Sequence, residues 1–351
     1  MRIPSFMQWT FVLFTALLLQ AWGCGHNDAT NNNETNGATP AATVDAELEA
    51  LNQRIKDDPS NFQNYLDRAK YYGARQQYDL ALADVSRALA TDSTKGAIYD
   101  YRGQLKFLRQ DIRGAYDDYS LCLTVEAQNT DCLLHKAEID IILKNYDIAM
   151  KHINDALRVD ERIAKGYYLK GRLYAASGDT SLSVSSYQTA IEVDPNYYDA
   201  YIEVGLLYAG KQHTLAEEYY NSAIDLKPKS IEAWYNKAMF LQETGYKSPA
   251  NYTRAFACYD TILKIDPKFS AANFNKGFIQ LVYLRDYSKA ISDFTEAIRL
   301  FPQYYQAYYN RGLAQEKLGR LKEAETDYRE ALAIKPDYTD AAVALSRILG
   351  Q

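Results

Sequence analysis

Four cysteines, four histidines and no Cys-x-x-Cys in 351 residues leave little material for metal or thiol chemistry. Beyond Cys24 the cysteines are Cys122, Cys132 and Cys258, an odd set at irregular spacing, which gives neither a disulfide framework nor a zinc site. The histidines, His26, His135, His152 and His213, are scattered and read as structural or solvated. No basic run is present, and the formal charge is −6, which argues against nucleic acid as a partner. A Gly-x-Ser-x-Gly elbow, a P-loop, a His-Glu-x-x-His pair and a glycine-rich phosphate loop after a strand are all missing. Carboxylates are plentiful but fall on exposed helix positions. The reading is therefore of a chain that is not an enzyme, with no catalytic residue, no metal ligand and no cofactor.

Long apolar runs are also scarce, apart from one at the start. Arg2 precedes an eleven-residue apolar or near-apolar stretch, Trp9 to Leu19, too short for a membrane span and suited to the core of a signal peptide. Residues 1–23 read as a targeting segment. The junction Ala21-Trp22-Gly23-Cys24 resembles a bacterial lipoprotein signal, in which Cys24 becomes the acylated first residue. Ala21 stands where such signals usually carry leucine, and ordinary signal cleavage is the alternative. Residues 24–43 then form a lipidated cysteine and a polar tether without helical period, spanning about 25 Å root-mean-square. This places the protein at the cell envelope, exported and held on the outer membrane through its N-terminus.

What the chain has in excess is tyrosine, 31 residues, and a beat. AYYNRG (307–312) is echoed by AWYNKA (233–238), ANFNKG (272–277), GYYLKG (166–171) and IYDYRG (98–103). Units can be drawn at 62–95, 96–129, 130–163, 164–197, 198–230, 231–269, 270–304 and 305–338, five of them 34 residues long. Position 4 of a unit is aromatic in most copies (Tyr65, Tyr99, Tyr167, Tyr201, Trp234, Tyr308) and position 8 is always Gly or Ala. Small residues return at positions 20 and 27, and proline at 32 in the last five units. Positions 4, 8 and 11 share one helical face, as do 20, 24 and 27. Small residues there let two antiparallel helices approach, aromatics fill the space beside them, and proline stops the second helix.

With these residues the chain resembles the tetratricopeptide repeat (TPR) family over roughly 45–351. The resemblance implies an all-α fold, a superhelix of eight helix-turn-helix repeats in one domain, with capping helices at 44–61 and 339–351. It also implies a concave surface lined by the first helix of each repeat. Asn236, Asn275 and Asn310 recur at position 6, where an amide donates to and accepts from a peptide backbone without reading its side chains. Tyr235, Met239, Phe274, Phe278, Tyr309 and Leu313 flank them as an apolar wall, though part of it belongs to the core. The expected partner is a protein or peptide captured there. A structural or assembly role in an envelope machine and a carbohydrate-binding role, suggested only by the aromatics, are the alternatives. Position 5 carries no lysine, which sets aside the grip on a chaperone's C-terminal carboxylate. Position 7, leucine in most TPRs, is basic in seven of eight units, either as stems that pack while their charges reach water or an acidic neighbour, or as a binding stripe. The extra residues GYKSPANY (245–252) lengthen one turn into a loop.

Overall fold

The structure, a computed structural model, describes residues 40–350. The targeting segment, Cys24 and the tether up to residue 39 lie outside the described residues. Among the described residues there are eighteen α-helices and no strand. They are numbered here α1 (Pro40–Asp57), α2 (Phe62–Ala74), α3 (Tyr78–Thr91), α4 (Gly96–Leu108), α5 (Ile112–Val125), α6 (Thr130–Ile142), α7 (Tyr146–Val159) and α8 (Ala164–Ser177), followed by α9 (Thr180–Val193), α10 (Tyr198–Gly210), α11 (Leu215–Leu226), α12 (Ile231–Thr244) and α13 (Ala250–Ile265). The last are α14 (Ser270–Ile279, continued by a π-helical turn Gln280–Leu284), α15 (Tyr287–Leu300), α16 (Tyr305–Lys317), α17 (Leu321–Ile334) and α18 (Thr339–Leu349). The helices α2, α4, α6, α8, α10, α12, α14 and α16 open on the first residues of the eight units drawn from the sequence. Helix α1 starts at Pro40, inside the stretch read as tether: proline is tolerated in a first helical turn and two alanines follow it.

The chain divides into two compact units, up to Ser177 and from Gly178, rather than the single domain expected. In each unit consecutive helices pack as antiparallel pairs, and the core is built from the small positions: Ala69, Ala81 and Ala88 in the first unit and Ala290, Ala297 and Ala331 in the second are fully buried. In most repeats side-chain size at position 24 is matched to position 8; the sixth, where Ala238 and Tyr259 are buried in one cluster, is the exception. Gly103, Gly205 and Gly312 lie under the rings of Tyr119, Tyr220 and Tyr328, where an added Cβ would come within 2.5–2.7 Å of a ring carbon. Ala69 and Ala137 instead sit in repeats that carry the smaller Val85 and Ile153 at position 24. Volume is conserved across the pair.

The first helix of a repeat ends the same way in both units. In the first, Gln76, Gln110 and Lys144 take the left-handed conformation (φ 59°, 65° and 61°). The next residue's N–H then returns to a carbonyl five residues back: Gln77 to Tyr72, Asp111 to Lys106 and Asn145 to Asp140, at 2.8–2.9 Å. In the second, Gln212 and Gly319 do likewise. This is the Schellman closure, which satisfies the last helical carbonyls. In the seventh repeat the left-handed residue is Arg285 and the bond, Asp286 N–H to Gln280 C=O, spans one residue more. The π turn therefore absorbs the residue by which that repeat exceeds 34.

One sequence reading changes here. Cys122 and Cys132 form a disulfide, with Cα atoms 6.4 Å apart, where no framework was expected. Their separation of 10 is the step from position 27 of one repeat to position 3 of the next. Elsewhere that step brings together Ala223 and Ala233, or Ala297 and Ala307, in the same buried clusters. Two cysteines substituted into a small-against-small contact meet as a matter of repeat geometry. Cys258 stays a buried thiol, and burial pushes its pKa up to about 11.

At position 7 the three arginines reach an acidic neighbour, as the packed-stem reading allowed, and form a clamp. Arg68 and Arg102 form forked pairs with Asp84 and Asp118, whose side chains are 1% exposed, with N–O distances of 2.6–2.9 Å. Arg311 holds Asp327 in the same way at 2.7–2.8 Å. Each arginine ties the first helix of a repeat to its second, with two hydrogen bonds to one carboxylate.

Candidate peptide-binding surface of the second unit

The first helices α12, α14 and α16 carry the nine candidate groove residues, and the structure sorts them. Phe274 is core: it is buried and stacks on Tyr304 with ring centres 4.8 Å apart, beside Phe294 at 5.6 Å. Asn275 and Asn310 are 5% and 4% exposed, so they do not stand open as rungs. Asn275 donates from Nδ2 to Tyr235 Oη at 2.9 Å and contacts Met239 Sδ at 3.7 Å, joining α14 to α12. Asn310 Nδ2 donates to the carbonyl of Gln306 in its own helix at 2.8 Å. Asn236 alone of the three is half-buried, and its side chain makes no hydrogen bond among the described residues. The recurrence of asparagine at position 6 thus serves three different local ends, and an equivalent amide ladder is not present. A buried amide must find partners inside the fold, and two of the three have done so.

What remains at the surface is apolar. Tyr235, Met239, Phe278, Tyr309 and Leu313 are all half-buried. Tyr235 leans edge-on to Tyr259 and Phe269 at 6.2 and 5.8 Å, and burial raises its phenol pKa. Tyr309 lies 5.3 Å from Tyr338 and 5.9 Å from Tyr328, and burial pushes its pKa up to about 12. These phenols stay neutral at ordinary pH and present ring faces and edges.

Carboxylates on the same helices differ in how they are neutralised. Glu316 on α16 accepts from Arg347 at 2.7 and 3.1 Å and from Tyr328 Oη at 2.6 Å. Glu232 on α12 accepts from Tyr198 Oη at 3.1 Å; burial raises its pKa, against the pull of that hydrogen bond and of Lys227. Glu243, at the C-terminal end of α12, is half-buried, makes no hydrogen bond or ion pair among the described residues, and has its pKa raised by burial alone.

Part of the tyrosine excess is framework. Tyr65, Tyr99 and Tyr201, all at position 4, each donate to the carbonyl six residues earlier at 3.1 Å, and Trp234 Nε1 does so at 2.9 Å. The hydroxyls that a sugar-binding reading would use are fastening inter-repeat turns instead. Among the described residues no group of three or more His, Cys, Asp or Glu side chains is placed to hold a metal ion, and no helix is long and apolar enough to cross a membrane.

Sequence reasoning missed Glu243, the π turn and its Tyr283, because no single repeat reveals them. The only signals were the two irregular lengths, 39 and 35 residues, of the sixth and seventh units.

Helix pairs with a small-residue seam, repeated at this period, define a helical-repeat scaffold of the kind used for protein–protein contact. A tetratricopeptide repeat profile matches residues 168–231 and 276–339. The chain is a tetratricopeptide repeat protein. Its sequence is 24% identical over 310 residues to the DnaJ homolog subfamily C member 7 homolog of Dictyostelium discoideum, covering 82% of this chain and 53% of that one. It is 25% identical over 186 residues to the human mitochondrial import receptor subunit TOM70, covering 51% and 30% of the two chains. The chain thus spans about half or less of these relatives' own length. Among solved structures, yeast Tom70 superposes with a TM-score of 0.56 at 17% identity, over 92% of this chain and 71% of that one. Cut9 with Hcn1 from the APC/C gives 0.51 at 17%, over 90% and 60%. At these identities the likeness is one of fold.

Proposed function

We propose that this protein is a non-enzymatic adaptor of the bacterial cell envelope that captures a polypeptide segment on the first-helix face of its second unit. The observation that carries the reading is the row of half-buried apolar side chains on α12, α14 and α16, Tyr235, Met239, Phe278, Tyr309 and Leu313, beside the unengaged amide of Asn236. A partner segment would cover the rings while Asn236 pairs with its backbone. Export is supported by the apolar run at residues 9–19 and by the Cys122–Cys132 disulfide, a bond that persists in oxidising compartments. Anchoring through an acylated Cys24 belongs to the same proposal.

The test is photo-crosslinking in intact cells from a probe amino acid at Asn236, with the captured segment then synthesised as a peptide. Substituting Met239 and Tyr309 by alanine together is expected to weaken that peptide at least about tenfold, or roughly 1.4 kcal/mol, with the helical circular dichroism unchanged. A peptide that binds the double variant as tightly as the parent would end the groove reading. Compartment is tested separately. The exported protein should carry no free thiol at Cys122 or Cys132, and reductant should lower its unfolding free energy by about 2–4 kcal/mol. Recovery of both thiols in reduced form from intact cells would refute the export half of the proposal.

A further inference from the structure

The two lengthened repeats meet. Extra residues in the sixth lengthen the turn after α12, so that Tyr252 at the start of α13 lies over Gly245 and leaves no space there for a Cβ. The extra residue in the seventh makes the π turn, which carries Tyr283. The rings of Tyr252 and Tyr283 stack at 4.9 Å with their planes 24° apart, and Tyr283 stands edge-on to Phe278 of the apolar row at 6.2 Å. Glu243 lies in this corner. It stands on the last turn of α12, two residues before the Gly245 that Tyr252 covers, and after burial itself its charge helps raise the phenol pKa values of Tyr220, Tyr259 and Tyr283.

From this arrangement we infer that Glu243 and Tyr283 form a subsite for a basic side chain, arginine or lysine, of the segment held on the apolar row. The inference rests on the proposed groove and names the chemistry of its occupant. A carboxylate partly withdrawn from water without a counter-ion is unfavourable as it stands, and a ligand cation would relieve it. The other carboxylates on these helices with resolved partners, Glu316 and Glu232, are already satisfied from within the fold. The half-buried Tyr283 ring, stacked on the buried Tyr252, adds a cation–π surface to this corner, which favours guanidinium and ammonium over neutral groups. π turns made by a one-residue insertion recur at functional sites, and this one carries the Tyr283 ring to Tyr252, at the end of the helix that bears Glu243.

The experiment pans a random dodecapeptide phage library on the full chain, on Glu243→Gln and on Tyr283→Leu, each checked for native melting. Selected peptides are then resynthesised with arginine replaced by citrulline, its neutral isostere. The parent should enrich apolar peptides bearing one arginine or lysine at a fixed place, and citrulline should cost about tenfold in affinity. On Glu243→Gln the basic preference should disappear while the apolar preference stays, and on Tyr283→Leu it should weaken. Apolar peptides selected without a basic residue, or a basic preference that survives Glu243→Gln, would overturn the subsite and leave the groove standing. If no peptide is selected by the parent, the groove itself fails and the subsite fails with it.

Discussion

The seventh and eighth repeats, both in the second unit, carry the same two positions and settle them differently. In the eighth, Arg311 forks onto Asp327 at 2.7–2.8 Å and still reaches Thr295 of the preceding repeat at 3.1 Å. In the seventh, Lys276 goes to Asp260 of the preceding repeat at 2.7 Å. Asp293, which holds the place of Asp327, is left to accept from Gln280 Nε2 at 2.8 Å, and Gln280 Oε1 has no partner. A guanidinium bridges two neighbours where an ammonium serves one. The consequence is electrostatic: burial, only partly offset by Lys276, pushes the Asp293 pKa up to about 6.

Breaking the clamp of the eighth repeat should have the largest effect. Asp327→Ala leaves the Arg311 guanidinium without its carboxylate in a mostly buried site, and should cost about 3–5 kcal/mol by denaturant titration. Restoring a clamp in the seventh sharpens the contrast. Lys276→Arg should let one side chain reach both Asp260 and Asp293, lowering the Asp293 pKa below 5 by carboxyl-resonance titration and adding about 1–2 kcal/mol at pH 7. Asp293→Asn should give the smallest change, with a sign opposite to Asp327→Ala. The folded-state pKa of Asp293 lies above its ordinary 3.8, so its stabilising contribution is present in acid and is lost as pH rises through about 6. The asparagine variant should match the parent near pH 4 and exceed it by about 1 kcal/mol at pH 7.5. A parent whose stability does not fall between pH 4 and 7 would contradict this account of Asp293.

The contrast also shows where sequence reading succeeds. Periodicity reveals whatever every repeat must do. Gly or Ala at position 8 in every copy, and small residues at 20 and 27 and proline at 32 in most, each answer a packing or termination demand that recurs along the chain. They give the all-α fold and the starts of the helices. The basic residue at position 7 was legible as a pattern, but its purpose required seeing Asp84, Asp118 and Asp327 sixteen residues further on. The site is less legible because it is where copies differ. Asparagine at position 6 looks uniform in the sequence, yet Asn275 and Asn310 are consumed internally and Asn236 is not. The disulfide hid for a related reason. Spacing counted along the chain is irregular, while spacing counted in repeat positions falls on a contact that other repeats fill with small residues.

The left-handed turns carry a consequence of their own. Glutamine, lysine and arginine hold a conformation that glycine adopts freely, at Gln76, Gln110, Lys144, Gln212 and Arg285, whereas Gly178 and Gly319 already occupy two of the corresponding turns. Each such non-glycine residue sits at a disadvantage of about 1 kcal/mol. The hairpins therefore retain unused headroom at fixed, surface-facing corners. An engineer wishing to harden this scaffold against heat would begin at the exposed turns of Gln76, Gln110 and Lys144, without touching the seam of small residues or the proposed binding face.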